Sequence, residues 1–185
     1  MAPRSLVERA IAARTSRSNR MVSIIGIERT ILFVLMAEVV SLQLHEGHGK
    51  SMRAVAEAHA RVGGGIEGDS HVGRTKRAVT VVDLSTHESV GVKPGDLREQ
   101  ITVEGLPKLG DLAEGTQLRI GAITLRVNGP CDPCTHIGEM NGVVDPNEFQ
   151  SMLEGRRGLV CNVVAVDGPV RVGDEVSVTE TADSR

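Results

Sequence analysis

The chain has 185 residues and 21 glycines, no Trp or Tyr, and only Phe33 and Phe149, so a single strand-rich domain with a core of Val, Leu, Ile and Ala is expected. Its net charge of −3 divides unevenly: residues 1–35 carry six arginines against Glu8 and Glu28, a balance of +4, which leaves −7 for the rest. An acidic main body without aromatic stacking platforms excludes general nucleic-acid binding.

Residues 31–37 form an apolar run, far shorter than the ~20 residues that span a bilayer, so no transmembrane segment is expected. With the arginines before it, this run loosely resembles a targeting peptide. Residues 1–35 are therefore read as an N-terminal extension: disordered, a targeting segment, or an upstream start ahead of Met36. Three cysteines, without a disulfide framework, favour a reducing compartment. The cytoplasm is the expected location, and an organelle the alternative if residues 1–35 are a transit peptide.

From Val40 the chain alternates, with Val40, Leu42 and Leu44 apolar, which predicts a half-buried strand. A glycine-containing loop follows over 45–50. Ser51 predicts a helix cap, with a helix over 52–61 that Gly63-Gly64-Gly65 ends. Residues 78–84 predict an apolar strand, 86–90 a short helix or turn, 93–96 a turn and 101–103 a short strand. Residues 117–127 predict two strands meeting at Gly121. Asp145-Pro146-Asn147-Glu148 predicts a helix start, with Phe149, Met152 and Leu153 on its buried face and Gly155 at its end. Strands are expected again over 159–166 and 175–178. About seven short strands and two helices, without βαβ alternation, predict a mostly β fold, a small barrel or sandwich.

The stretch Asn128-Gly129-Pro130-Cys131-Asp132-Pro133-Cys134-Thr135-His136 concentrates the reactive chemistry. Two soft sulfur ligands on a proline-stiffened loop suit metal, sulfur-transfer or redox chemistry. Zinc is one alternative, with Cys131, Cys134 and His136 as ligands. A closed zinc site wants four ligands, and the chain has no second CxxC or HxxxH pair. Cys131 is either a resolving thiol for Cys134 or incidental. Cys161, within an apolar run, is expected in the core.

Several segments in order resemble the MOSC domain, the C-terminal domain of molybdenum cofactor sulfurases. They are Gly65 to His71 (GIEGDSH), Arg77-Ala78-Val79, Pro94-Gly95-Asp96-Leu97 with Glu99, Ile101 to Leu106, Gly115 to Gly121, the Pro133-Cys134 loop, Gly155-Arg156-Arg157-Gly158, and Val172-Gly173-Asp174. The resemblance covers residues 36–179, leaving 180–185 as a flexible tail. The family commonly has Gly before the glutamate and Asn after it, where this chain has Arg98-Glu99-Gln100, and a basic residue is common at the position of Ser70.

The resemblance implies a small MOSC-type β-barrel with a few short helices, and binding of the molybdenum cofactor or handling of sulfur destined for it. By position Cys134 is the implied sulfur carrier or molybdenum ligand. The cofactor's phosphate would call for cations. Arg74, Lys76, Arg77, Arg98, Arg156 and Arg157 are the candidates, with Asp69, His71 and Glu99 in the neighbouring motifs. Two activities follow. One is a molybdenum-dependent reductase of N-hydroxylated compounds, fed by a redox electron donor. The other is a cysteine persulfide carrier, fed by a cysteine desulfurase. Pyridoxal phosphate belongs to a domain the sulfurases carry elsewhere and is not expected on this chain. The competing class is a non-catalytic β-barrel that regulates or docks to a partner.

Overall fold

The computed structural model describes residues 37–179, so the expectations for residues 1–35 and 180–185 lie outside the described residues. Twelve strands are found there: β1 (Ala37–His45), β2 (Met52–Val55), β3 (Glu57–Ala58), β4 (Ala60–Arg61), β5 (Gly65–Ile66), β6 (Val79–Asp83), β7 (Ile101–Glu104), β8 (Gln117–Ile120), β9 (Ile123–Pro130), β10 (Leu159–Val166), β11 (Val170–Arg171) and β12 (Glu175–Thr179). Three short helices accompany them: α1 (Leu84–Val90), α2 (Thr135–Met140) and α3 (Pro146–Met152). None of these helices is long and apolar enough to cross a membrane.

Eight strands form one sheet in the order β12-β8-β9-β10-β6-β7-β1-β2. β1 also pairs with β12, Ala37 opposite Val176, so the ladder returns on itself through β1. The mostly β fold and its short helices agree with expectation.

The alternation that predicts β8 and β9 is realised side chain by side chain. Leu118, Ile120, Ile123, Leu125 and Val127 all enter the core. A two-residue turn joins the strands, and Gly121 takes φ +53 there, a conformation that a Cβ would strain. At roughly 2 kcal/mol for each fully buried aliphatic side chain, this hairpin supplies a large share of the burial energy. β6 is buried on both faces. Val79 and Val81 join the main core, while Val82 joins a second cluster with Leu97, Ile137, Phe149 and Leu153 beneath the helices.

Four expectations need correction. Residues 52–61 are not a helix but the strands β2, β3 and β4. There Ala58 and Ala60 are buried and His59 is exposed, a period of two that pairing stabilises against local helix propensity. In β1 the register against β7 shifts between Val39 and Ser41, so Val39 takes the core position and Val40 is only half-buried. Met152 is exposed, at the last position of α3, while Phe149 and Leu153 are buried as expected. Finally, the parallel pair β6 and β7, joined through α1, forms one βαβ unit within an otherwise antiparallel sheet.

The start of α3 follows the sequence, whereas the helix ends at Met152 rather than at Gly155. Asp145 Oδ1 accepts from the backbone N–H of Asn147 (2.9 Å) and Glu148 (3.1 Å), with Pro146 in the first turn. Asp83 caps α1 by accepting from the Ser85 N–H at 2.9 Å, and its second oxygen accepts from the Leu106 N–H at 2.9 Å.

Candidate functional site

The CxxC loop runs from the end of β9 into α2. Cys131 is buried, whereas Cys134 is exposed at the residue preceding the first turn of α2, in extended conformation. The Cys134 side chain makes no capping hydrogen bond, so its sulfur is not committed to the helix. All three cysteines are free thiols. The loop is pinned from beneath: the Cys131 N–H donates to the Gly158 carbonyl at 2.9 Å. Gly158 has φ +88, and a Cβ there would collide with the Val81 carbonyl oxygen, so only glycine fits.

Arg157 ties this loop to the turn before β7. Its side chain is buried, and its two terminal nitrogens donate to the carbonyls of Asp132 and Leu97. Its Nε is buried without a partner. Arg156 beside it is exposed and faces elsewhere, lining a cavity of about 380 Å³ with Lys108, Ser85 and Ser89 near α1. The structure therefore separates the two arginines, one under the CxxC loop and the other outside it.

The turn before β7 carries Arg98, Glu99 and Gln100, and their side chains diverge. Arg98 has φ +64, the one non-glycine residue with positive φ among the described residues, at the position where the family commonly has glycine. Its guanidinium donates to the Lys50 carbonyl and so reaches the β1–β2 loop. Burial lowers its pKa somewhat, against the opposing charges of Asp69 and Glu99. Glu99 points inward and is fully buried. Its Oε1 lies 2.9 Å from His87 Nε2 and accepts from Thr102 Oγ1 at 2.9 Å and from the Gly95 N–H, while Oε2 is buried without a partner.

Gln100 links this turn to the Asp69 motif. Its Nε2 donates to Asp69 Oδ2 at 3.1 Å and lies 3.2 Å from His71 Nδ1; its Oε1 accepts from the Thr80 N–H at 2.7 Å. Asp69 also accepts from the backbone N–H of His45 (2.7 Å) and His71 (2.8 Å), and from His71 Nδ1 at 2.9 Å. Burial alone would raise the Asp69 pKa. The hydrogen bonds from His71, His45 and Gln100 outweigh it and hold the carboxyl below the usual range. The His45 ring lies 4.8 Å from the His71 ring, tilted by 36°. Burial, with the charges of Arg98 and His71, lowers the His45 pKa.

The β1–β2 loop returns to the CxxC side. His48 stacks on His136, with centroids 6.2 Å apart and planes within 8°, and His136 Nδ1 lies 3.2 Å from Glu139 Oε2. Arg77 donates to Cys131 Sγ at 3.2 Å, while Arg74 and Lys76 are exposed on the same segment. Cys134, Asp69, His71, Arg77, Arg98 and Arg157 thus belong to one connected set of loops; Glu99 faces the interior and Arg156 a separate cavity. Among the described residues no three His, Cys, Asp or Glu side chains converge as metal ligands, so the Cys131–Cys134–His136 zinc arrangement is not assembled.

Sequence reasoning gave no role to His45 and His48. Gln100 was visible there only as a departure from the family pattern. His45 and Gln100 acquire their neighbours through strand pairing, which places the end of β1 beside the start of β7, and His48 acquires His136 through the β1–β2 loop.

Comparison with known proteins bears on this arrangement. The sequence model described as the MOSC domain matches residues 69–177. A Bacillus subtilis protein described as "Putative metal-sulfur cluster biosynthesis proteins YuaD" is 29% identical over 147 residues, covering 62% of this chain and 76% of its own. The crystal structure of Bacillus subtilis YuaD superposes with a TM-score of 0.71 at 23% identity, over 80% of this chain and 97% of that one. YiiM from Escherichia coli gives a TM-score of 0.55 at 18% identity, over 78% and 70% of the two chains. At these identities the structural likenesses concern the fold.

Proposed function

The chain belongs to the MOSC domain family, and on that premise we propose that it handles sulfur through Cys134 as a persulfide carrier. The observation that carries this reading is the placement of the CxxC loop, with Cys134 exposed and uncommitted on a loop that Arg157 and Gly158 hold from below. A carrier thiol must be reachable by both a donor and an acceptor protein.

In the transfer, the Cys134 thiolate attacks the outer sulfur of a donor persulfide, such as that of a cysteine desulfurase. The Cys134 S–S bond forms, and the donor leaves as its thiolate. An acceptor thiolate then takes the outer sulfur by the same exchange. The name of the Bacillus subtilis relative, which speaks of metal-sulfur cluster biosynthesis, fits a sulfur-transfer setting.

A second reading is molybdenum cofactor binding with Cys134 as the metal's thiolate ligand. The donor set suits that group. Cys134 offers a soft exposed sulfur, Arg74, Lys76, Arg77 and Arg98 offer cations for a phosphate, and the buried Nε of Arg157 is a donor without a partner. Asp69 and His71 would orient the ligand side of that site. When bound, the cofactor would supply two-electron oxygen-atom chemistry, such as reduction of N-hydroxylated compounds with a redox partner.

Incubation with a cysteine desulfurase and cysteine tests the carrier reading. Peptide mass spectrometry should show one added sulfur on the Cys134 peptide, absent in Cys134→Ser with folding unchanged. Absence of the adduct in the unsubstituted protein, together with stoichiometric molybdenum and pterin after purification, would transfer the assignment to the second reading.

A further inference from the structure

Cys131 differs from the other two cysteines in one respect: a cation lies on its sulfur. Arg77 Nη2 donates to Cys131 Sγ at 3.2 Å, although Cys131 is only 4% exposed. Arg77 is half-buried, and a guanidinium N–H holds an anionic sulfur more strongly than a neutral one. Cys161 shows the contrast. It sits fully buried in β10, and burial, with a smaller contribution from Cys131, raises its thiol pKa to about 12. Cys161 thus stays a protonated core thiol, whereas Cys131 has a guanidinium on its sulfur and stands three residues before the exposed Cys134.

We propose that Cys131 is a resolving thiol that discharges the Cys134 persulfide as hydrosulfide, with Arg77 holding the attacking sulfur. The inference rests on the carrier reading of Cys134. The Cys131 thiolate attacks Cys134 Sγ, and a Cys131–Cys134 disulfide forms. The bond from Cys134 Sγ to the outer sulfur breaks, and that sulfur leaves with the electron pair as HS⁻. The two cysteines lose two electrons, and the outer sulfur gains them, passing from sulfane to sulfide. A small-molecule thiol of the glutathione class then reduces the disulfide by exchange. The chain can therefore hand its cargo on intact or, when no acceptor arrives, release it as free sulfide and reset.

The anchoring of Cys131 suits this step. Cys131 is anchored through its N–H to Gly158, its own sulfur is screened from bulk solvent, and the partner sulfur lies on the same short loop.

The test loads the full chain with inorganic polysulfide, removes excess reagent, and follows peptide masses and free sulfide over time. In the unsubstituted protein the added sulfur on Cys134 should disappear, replaced by a Cys131–Cys134 disulfide with an equal amount of sulfide. Cys131→Ser should keep the persulfide on Cys134 and release no sulfide. Arg77→Gln should resolve its persulfide roughly tenfold more slowly, the effect of losing a charge-assisted hydrogen bond. Cys161→Ser should behave as the unsubstituted protein. Equal persulfide lifetimes in the unsubstituted protein and Cys131→Ser, or a disulfide to Cys161, would overturn this inference while leaving the carrier reading standing. Absence of any added sulfur on Cys134 and of any released sulfide in both the unsubstituted protein and Cys131→Ser, with circular dichroism showing both folded, would overturn both.

Discussion

The imidazole rings of His48 and His136 lie face to face, 6.2 Å between centroids and 8° between planes, joining the β1–β2 loop to the first turn of α2. Both side chains are exposed, so the pair contributes on the order of 0.5 kcal/mol rather than a core-sized amount. His48→Ala should leave the melting temperature nearly unchanged. It should nonetheless accelerate amide hydrogen exchange both at residues 46–50 and at 135–137, because each segment restrains the other. Faster exchange on one side alone would contradict the coupling.

Arg157 should be the most costly polar side chain to remove. It is buried and donates to the carbonyls of Asp132 and Leu97, so Arg157→Met strands two acceptors and releases the CxxC loop. The expected loss is about 2–4 kcal/mol in urea unfolding. Arg157→Lys should rescue little, since a single ammonium does not reproduce a planar fork aimed at two carbonyls.

Arg98 occupies left-handed backbone, so its two simplest replacements should part company. Arg98→Gly and Arg98→Ala both lose the bond to the Lys50 carbonyl, but only glycine adopts φ +64 without strain. The glycine variant should be more stable than the alanine variant by about 1 kcal/mol. Equal denaturation midpoints would show that the turn relaxes once the guanidinium is gone.

Acid should weaken the site in two steps. His45 and Asp69 both have lowered folded pKa values: burial leads for His45, and for Asp69 the hydrogen bonds from His71, His45 and Gln100 overcome burial. The folded state thus binds fewer protons at both groups than the unfolded state. The stability each contributes is complete above its unfolded pKa, about 6.5 for His45 and about 3.9 for Asp69, and declines as pH falls through the folded value. Urea midpoints should therefore drop below neutrality and again below about pH 4. His45→Asn should remove the first step and Asp69→Asn the second.

Local signals carried the elements that depend on local chemistry. Asp145-Pro146 specified the start of α3, and Gly121 with its alternating flanks specified the β8–β9 hairpin. Residues 52–61 misled because their alanines favour a helix in isolation, while β2 is held by hairpin pairing with β1 and β3 by pairing with the distant β11. The same physics limits the site. The resemblance already set Cys134 apart from Cys131, but the burial of Cys131 beside an exposed Cys134 needed the fold, and the difference between Arg156 and Arg157 needed to know which way two adjacent side chains turn. Asp69 and His71 were visible as a motif, but their union with Gln100 and His45 depends on the register of β1 against β7.

The pairing of Ala37 with Val176 sets an order on synthesis as well as on architecture. A ribosome delivers β1 long before β12, so the first strand waits with part of one edge open until the last strand has emerged. The hairpins β8–β9 and β9–β10 can zip as they appear, but closure between β1 and β12 is a late, long-range event. A nascent chain stalled before residue 175 would expose that edge to other chains, which makes the final strand the point where aggregation competes with folding.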